Sequence, residues 1–426
     1  MQDIKIIRET PELIIKDLEK RKETKKIELV EKIIVEDKKW REIKYEEDSL
    51  RSERNKLSKE INTLKKQGKD IKKILEEVKK IPLKIKELEQ KRKKIEEKID
   101  VWLKDIPNLM HESVPYGKDD SENVEIRKWG TPKKFDFELM PHSEIAEKLN
   151  VADFERSAKI SGSGFYILKG KLALLNQALI RFAIDTLVRK KYEYQEVPYM
   201  LNKDVYETGV SLEDFEDVMY RIEGEEKYLI ATSEHPLLAQ FKDEIIKKED
   251  LPIKICSYSM CFRREVGSRG IDTKGLFRTH QFNKVEQVII STPEDSWKVH
   301  EELQKNAEEI HQKLELPYRV VNICTGDLGN FAAKKYDIET WMPRQKKYGE
   351  TCSNSNYTDY QARRANIKIE DKNDKYYAHT LNCTAVPTSR IMVAILENYQ
   401  NKDGSITIPK VLRPYMFGIE KIEPNQ

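Results

Sequence analysis

Residues 261–287 read CFRREVGSRGIDTKGLFRTHQFNKVEQ, two apolar runs separated by a loop that contains Gly267, Gly270 and Gly275. Apolar runs joined through glycines in this way predict an antiparallel strand pair with a long connection. Arg263 and Glu265 are two residues apart and so project from one face if the first strand continues through them. Arg278, Phe282 and Glu286 follow on the second run, and Phe282 and Glu286, four residues apart, also share a face. A guanidinium forks onto phosphate oxygens, a carboxylate accepts from an exocyclic amine such as that of adenine, and an aromatic ring offers a flat surface for a base. A hairpin so equipped can hold a nucleotide. An isolated Arg/Glu pair is more often a weakly interacting surface pair, so it is the whole 27-residue pattern that carries the reading.

Composition sets the outer limits. The chain has 426 residues, 36% of them charged, and a mean hydropathy of −0.72, which fits a soluble protein of about two or three domains. No apolar run approaches the ~18 residues of a membrane span. The start, MQDIKIIRET, lacks the apolar stretch and small-residue site of a secretion signal. Cys256, Cys261, Cys324, Cys352 and Cys383 show no paired CxxC knuckles and no disulfide framework. Free thiols in a reducing cytoplasm are therefore expected, and structural zinc is not.

Charge is unevenly spread. The whole chain carries +3, but residues 51–104 hold 19 Lys and Arg against 10 Asp and Glu, so the remainder is mildly acidic. This basic segment has a heptad pattern. Leu29, Ile43, Leu50, Leu57 and Leu64 fall on one register, broken by Glu36, and Ile33, Trp40 and Ile61 share the companion position with Glu47 and Arg54. After a polar turn over residues 65–70 around Gly68, a second seam runs through Ile74, Val78, Ile81, Ile85, Leu88, Arg92, Ile95, Ile99 and Trp102. The two helices must fold back as an antiparallel hairpin, an arm of roughly 55 Å for about 36 residues per helix. Pro82 is expected to kink or interrupt the second helix. The seam needs no explanation beyond the partner helix, whereas the excess positive charge favours contact with RNA phosphates.

Residues 107–140 read as a proline-punctuated connector. Gly162 and Gly164 complete no phosphate-binding fingerprint and mark a turn before a strand over Phe165 to Leu168. A helix with apolar positions Leu172, Leu175, Leu179, Phe182, Ile184 and Leu187 leads into an edge strand over Tyr194 to Tyr199. Thr232, Ser233 and Glu234 set a hydroxyl beside a carboxylate, although a helix N-cap explains them equally well. Glu350, Thr351, Cys352 and Ser353 offer an acid and a hydroxyl three apart, a pair suited to a magnesium ion that also touches phosphates. Asn382, Cys383 and Thr384 precede Arg390 at the head of an apolar helix. That arginine meets either a phosphate or a buried acid.

Along essentially its whole length the chain resembles the class II aminoacyl-tRNA synthetases, and among them the seryl-tRNA synthetase family. The helix and strand ending at Pro198 resemble class motif 1, Phe262 to Glu286 motif 2, and Leu381 to Arg390 with its helix motif 3; the N-terminal hairpin completes the match. The resemblance implies an α+β fold: an antiparallel two-helix coiled-coil arm plus a catalytic domain built on an antiparallel β-sheet flanked by helices. Expected boundaries are 1–106 for the tRNA-binding domain (hairpin about 27–104), 107–140 for the connector and 141–426 for the catalytic domain.

Carried over by position, the resemblance implies that Arg263 binds the ATP α-phosphate, Glu265 the adenine amine, and that Phe282 stacks on the ring, with Arg264 and Thr279 in the same site. Glu350 and Ser353 match metal-linked positions, with Thr351 and Cys352 between them, and Arg390 matches the arginine that holds the γ-phosphate. Thr232, Ser233, Glu234, Arg263, Glu286, Asn382 and Thr384 would surround serine, without an assignment of which carboxylate takes the ammonium and which the hydroxyl. Thr232-Ser233-Glu234 in place of TAE, and Asn382-Cys383-Thr384-Ala385 in place of NGSG, place the chain nearer the archaeal and eukaryotic branch.

The implied activity is that of a ligase of protein biosynthesis. It forms seryl-adenylate and pyrophosphate from L-serine and ATP with Mg²⁺, then charges tRNA(Ser), with selenocysteine tRNA a further candidate. The implied assembly is a cytoplasmic homodimer, the arm of one subunit gripping the variable arm of the tRNA and the Gly267 to Gly275 loop facing its acceptor end. Two rivals are an arm-less type of paralogue that charges a carrier protein and an inactive RNA-binding module. Retention of the arm and of Arg263, Glu265, Glu286, Glu350 and Arg390 together favours the enzyme.

Overall fold

The computed structural model describes residues 1–209, 216–265 and 275–424. It divides into two compact units, Met1–Leu109 and Met110–Gln426.

In the first unit, helices α1 (Ile4–Glu9) and α2 (Pro11–Arg21) precede α3 (Thr24–Lys66) and α4 (Lys72–Asp105). Ile7, Ile14 and Leu18 from the short helices pack with Val30 and Ile33 of α3 and with Ile99 and Leu103 of α4, a small core that closes the base of the hairpin. Gly68 makes the turn at φ +69°, a conformation that costs a residue with a Cβ. Helix α4 runs without a break through Pro82. The interruption expected there does not occur, because only one ladder hydrogen bond is lost at Pro82 while Ile81 and Ile85 beside it stay buried against the partner helix.

The charged interruptions of the seam pair with each other. Glu47 is 1% exposed, and Arg92 of the opposite seam donates to it at 3.0 Å. Arg51 reaches the same carboxylate at 2.9 Å, and the Arg92 guanidinium lies over the Trp40 ring. A pair placed this way fixes the register of two otherwise similar helix faces. Glu47→Ala leaves Arg92 without its buried partner. It is expected to destabilise the hairpin by about 1–3 kcal/mol, read by calorimetry as a lower first transition in the intact chain.

The second unit is built on an eight-stranded sheet. Its strands are β1 (Val124–Trp129), β2 (Glu193–Tyr194), β3 (Ile253–Phe262), β4 (Gln281–Ser291), β5 (Tyr318–Asn322), β6 (Lys334–Met342), β7 (Lys347–Asn356) and β8 (His379–Pro387). The spatial order is β1-β5-β6-β7-β8-β4-β3-β2, antiparallel except for the last pair. Residues 107–140, read as a connector, thus supply an edge strand. The strand expected over Tyr194 to Tyr199 is confined to Glu193–Tyr194 in this sheet; Met200–Asn202 pairs elsewhere, with Lys227–Leu229.

Helices α5 (Gly170–Arg189), α6 (Glu234–Ala239), α7 (Ser296–Lys313) and α8 (Thr388–Asn398) accompany the sheet. Strand β4 shows how the two faces divide. Val285 and Ile289 enter the main core with Leu179 and Leu187 of α5, Leu303 and Ile310 of α7, and Ile391 and Ile395 of α8. The alternate residues Val288 and Ile290 join small apolar clusters on the opposite side. The 2-residue period of the strand therefore sends Phe282, Lys284 and Glu286 to that same opposite side, away from the main core.

Candidate active site

A cavity of about 440 Å³ lies over that second face. One end is built by the stem of the 261–287 segment. Strand β3 ends at Phe262, so Arg263 and Glu265 are not strand residues as expected, and Glu265 turns with φ +48°. Both nevertheless line the cavity, as does Phe282 on β4. The Arg263 guanidinium lies 5.3 Å from the Phe282 ring centroid and is tethered to the Ala231 carbonyl by two donors at 3.4 Å. Arg278 approaches Glu265 at 3.9 Å. At the returning side Gly275 (φ +128°) presses so closely on His142 that no Cβ fits, and the Leu276 amide donates to His142 Nε2 at 3.2 Å. Residues 266–274 lie outside the described residues, and with them the loop expected to face a tRNA end.

The far end carries the acid and hydroxyl of the 350–353 segment. Three residues apart on a regular strand, Glu350 and Ser353 would face opposite ways. A bulge brings them together: Ile338 pairs with Cys352 and Glu339 with Glu350, so Thr351 is the extra residue. Its hydroxyl is drawn to the helix side, bonded to His311 Nε2 at 3.0 Å and Thr340 at 2.7 Å. Glu350 receives Arg390 Nη1 at 3.2 Å on its carboxylate and 3.1 Å on its carbonyl. Burial alone would push the Glu350 carboxyl up, but Arg390, then Lys335 and Arg263, hold it below the usual carboxylate range. Asp337, opposite Ser353 on β6 and hydrogen-bonded to it, is pushed up to about 7 by burial against the opposing pull of Lys335. Oxygen donors from Glu350 and Ser353, in a cavity that Arg263 and Arg390 also line, suit a hard cation that keeps water or phosphate in its remaining positions. Among the described residues no three His, Cys, Asp or Glu side chains converge as a cage for a metal.

Between these ends lies a pocket of carboxylates and hydroxyls. Glu286 is fully buried, and Oε1 accepts from Thr232 at 2.9 Å, from Thr384 at 3.3 Å and from the Lys284 ammonium; Oε2 accepts from Asn382 at 3.2 Å. Glu286 therefore does not line the cavity itself; Thr232, Lys284, Asn382 and Thr384 do. Glu234 does line it, held by Gln361 at 3.0 Å and by Tyr357. Burial first, and the nearby Glu286 charge after it, raise the Glu234 carboxyl above the usual range. The neighbouring His235 is held neutral, pushed down to about 3 by burial and then by Lys284 and Arg263.

Of the residues singled out from sequence, Thr279, Cys352 and Arg390 also line the cavity, the last with its guanidinium 5.1 Å from the Phe277 ring. Besides Glu286, two do not: Arg264 is exposed, its amide bound to the Val218 carbonyl, and Ser233 is buried at the head of α6. Sequence reasoning missed Lys284, which stands two residues from Glu286 and so shares its face, as well as Lys335, Asp337, Tyr357 and Gln361, which no motif marks. The five cysteines are free, as expected, and all buried. No described helix is long and apolar enough to cross a membrane.

An antiparallel sheet with two arginines, one at a hairpin stem and one at the head of a helix, converging on one cavity is the catalytic core of the class II aminoacyl-tRNA synthetases. Residues 215–399 match the class II core domain model for G, H, P, S and T synthetases, and residues 1–110 match the seryl-tRNA synthetase N-terminal domain model. The serine–tRNA ligase of Methanospirillum hungatei is 53% identical over 419 residues, 98% of this chain and 99% of that protein. The seryl-tRNA synthetase of Pyrococcus horikoshii, solved with ATP, superposes with a TM-score of 0.94 at 47% identity, both chains covered in full. The cytoplasmic serine–tRNA ligase of Naegleria fowleri, solved with AMP, gives 0.89 at 35% identity, covering 100% of this chain and 99% of that one. The chain belongs to the seryl-tRNA synthetase family, in its archaeal and eukaryotic branch.

Proposed function

We propose that this cavity activates L-serine with ATP to seryl-adenylate and pyrophosphate, and then transfers serine to the 3′ end of tRNA(Ser). The observation that carries the reading is the convergence, in one cavity, of a phosphate-binding pair of arginines and a separate nest of carboxylates and hydroxyls around Glu286. Phe282 and Glu265 hold the adenine, and Arg263 the α-phosphate. Arg390, steered by Glu350, holds the γ-phosphate. Thr232, Glu234, Asn382 and Thr384 with Glu286 behind them take the amino acid. Arg264 and Ser233 are left out of this set because neither reaches the cavity.

Catalysis here is positional and electrostatic. A serine carboxylate oxygen attacks the α-phosphorus, the bond from that phosphorus to the bridging oxygen breaks, and pyrophosphate leaves with the electron pair. Arg263 offsets charge on the α-phosphate oxygens and Arg390 charge on the leaving group. In the second step the terminal 3′ hydroxyl attacks the acyl carbonyl and AMP leaves. Glu350 and Ser353 would hold Mg²⁺, which when bound adds charge neutralisation on the phosphates. The basic arm supplies the tRNA grip, and a cytoplasmic homodimer would let one subunit's arm serve its partner's cavity.

Glu286→Gln tests the amino-acid assignment. The variant keeps the shape and the hydrogen bonds from Thr232 and Thr384 while deleting the charge. The KM for serine in ATP–pyrophosphate exchange is expected to rise roughly 10²-fold, with the KM for ATP changed less than about twofold; equal changes in both would contradict the assignment.

A further inference from the structure

Glu286 is fully buried behind the cavity lining, and the group set against it is a cation. Lys284, two residues earlier on β4, is 9% exposed, lines the cavity, and sets its ammonium on Glu286 Oε1, the same oxygen that accepts from Thr232 and Thr384. A buried carboxylate with only neutral donors is costly to keep ionised, whereas a cation in contact stabilises the charge and fixes its direction.

We infer that Lys284 is a positioning residue of the amino-acid pocket: its ammonium closes the floor over Glu286, fixes the direction of that carboxylate, and through it sets affinity for the amino acid without touching the nucleotide. Phe282, on the same strand face, stands between Lys284 and the end of the strand where the nucleotide is placed. The role therefore separates from ATP binding, and it rests on the serine reading only for the identity of the amino acid.

The test is ATP–pyrophosphate exchange by the intact chain carrying Lys284→Met, which keeps the length and apolar stem, and Lys284→Arg, which keeps the charge. Lys284→Met should raise the serine KM at least tenfold and leave the ATP KM within twofold, and Lys284→Arg should recover most of the loss. Because both residues act as a unit, Lys284→Met with Glu286→Gln should raise the serine KM far less than the product of the single effects. A serine KM within twofold of the parent, a parallel rise for ATP with a fallen thermal midpoint, or multiplicative single effects would each overturn the inference. If the parent exchanges with an amino acid other than serine, the serine reading falls, and the same variants are read on that amino acid's KM.

Discussion

Replacing Arg390 by alanine is expected to abolish measurable serine-dependent ATP–pyrophosphate exchange, a loss of roughly 10³-fold or more, while the thermal midpoint of the chain stays close to that of the parent. The reasoning is local. Arg390 stands in the first turn of α8, whose packing is carried by Ile391, Met392, Val393 and Ile395 on the other side. Its guanidinium faces the cavity, bonded to Glu350 and lying against Phe277. Alanine is compatible with a helix, and no core contact of α8 depends on the arginine head. What disappears is the charge opposite the departing pyrophosphate. Glu350 also loses the partner that does most to hold its carboxyl down, leaving Lys335 and Arg263. Arg390→Lys restores the charge but not the planar guanidinium that lies against Phe277, and is expected to recover only a minor part of the rate. Near-normal exchange by Arg390→Ala would remove this residue from the phosphate site.

Shortening the arm is expected to have an equally large effect on a different step. Replacing residues 54–85 by a short glycine linker removes the distal hairpin. It leaves the Glu47, Arg51 and Arg92 pairs and the base formed by Ile7, Ile14, Val30 and Leu103. The deleted part is rich in lysine and contributes no residue to the core at the base of the hairpin. Pyrophosphate exchange should stay within about twofold of the parent, because the cavity lies wholly in the second unit. Aminoacylation of tRNA should fall at least 10²-fold in kcat/KM, as expected when several phosphate contacts are lost, and the salt dependence of charging should flatten. Equal loss of both activities would show that the arm supports folding instead.

Much of this molecule was legible in the sequence because the periodicities are strong. The heptads of α3 and α4, the glycine turn at residue 68 and the apolar helix around Leu175 and Phe182 each follow from one dominant pattern. Pro82 misled because a single local cost was weighed without the neighbouring burial of Ile81 and Ile85. Within the site, the segments named from the resemblance do meet in one cavity, but its geometry depends on features with no sequence signature. The bulge at Thr351 turns Glu350 and Ser353 to one face, and a strand-period reading of that segment separates them. Arg263 and Glu265 meet the cavity from a turn with positive φ at Glu265 instead of from a strand. Glu286 is expected among the residues around the amino acid, and the structure buries it against Lys284, a residue whose spacing from Glu286 is the only hint. Arg264 adjoins Arg263 in the motif but leaves the cavity, since adjacent residues at a strand end diverge.

The most direct test of the whole account is pyrophosphate exchange by the purified full chain, with ATP, Mg²⁺ and each of the twenty amino acids in turn. The account predicts exchange driven by serine, with threonine and alanine weaker by at least about 10²-fold. Exchange driven by a different amino acid, or by none under conditions where the chain is folded, would contradict it.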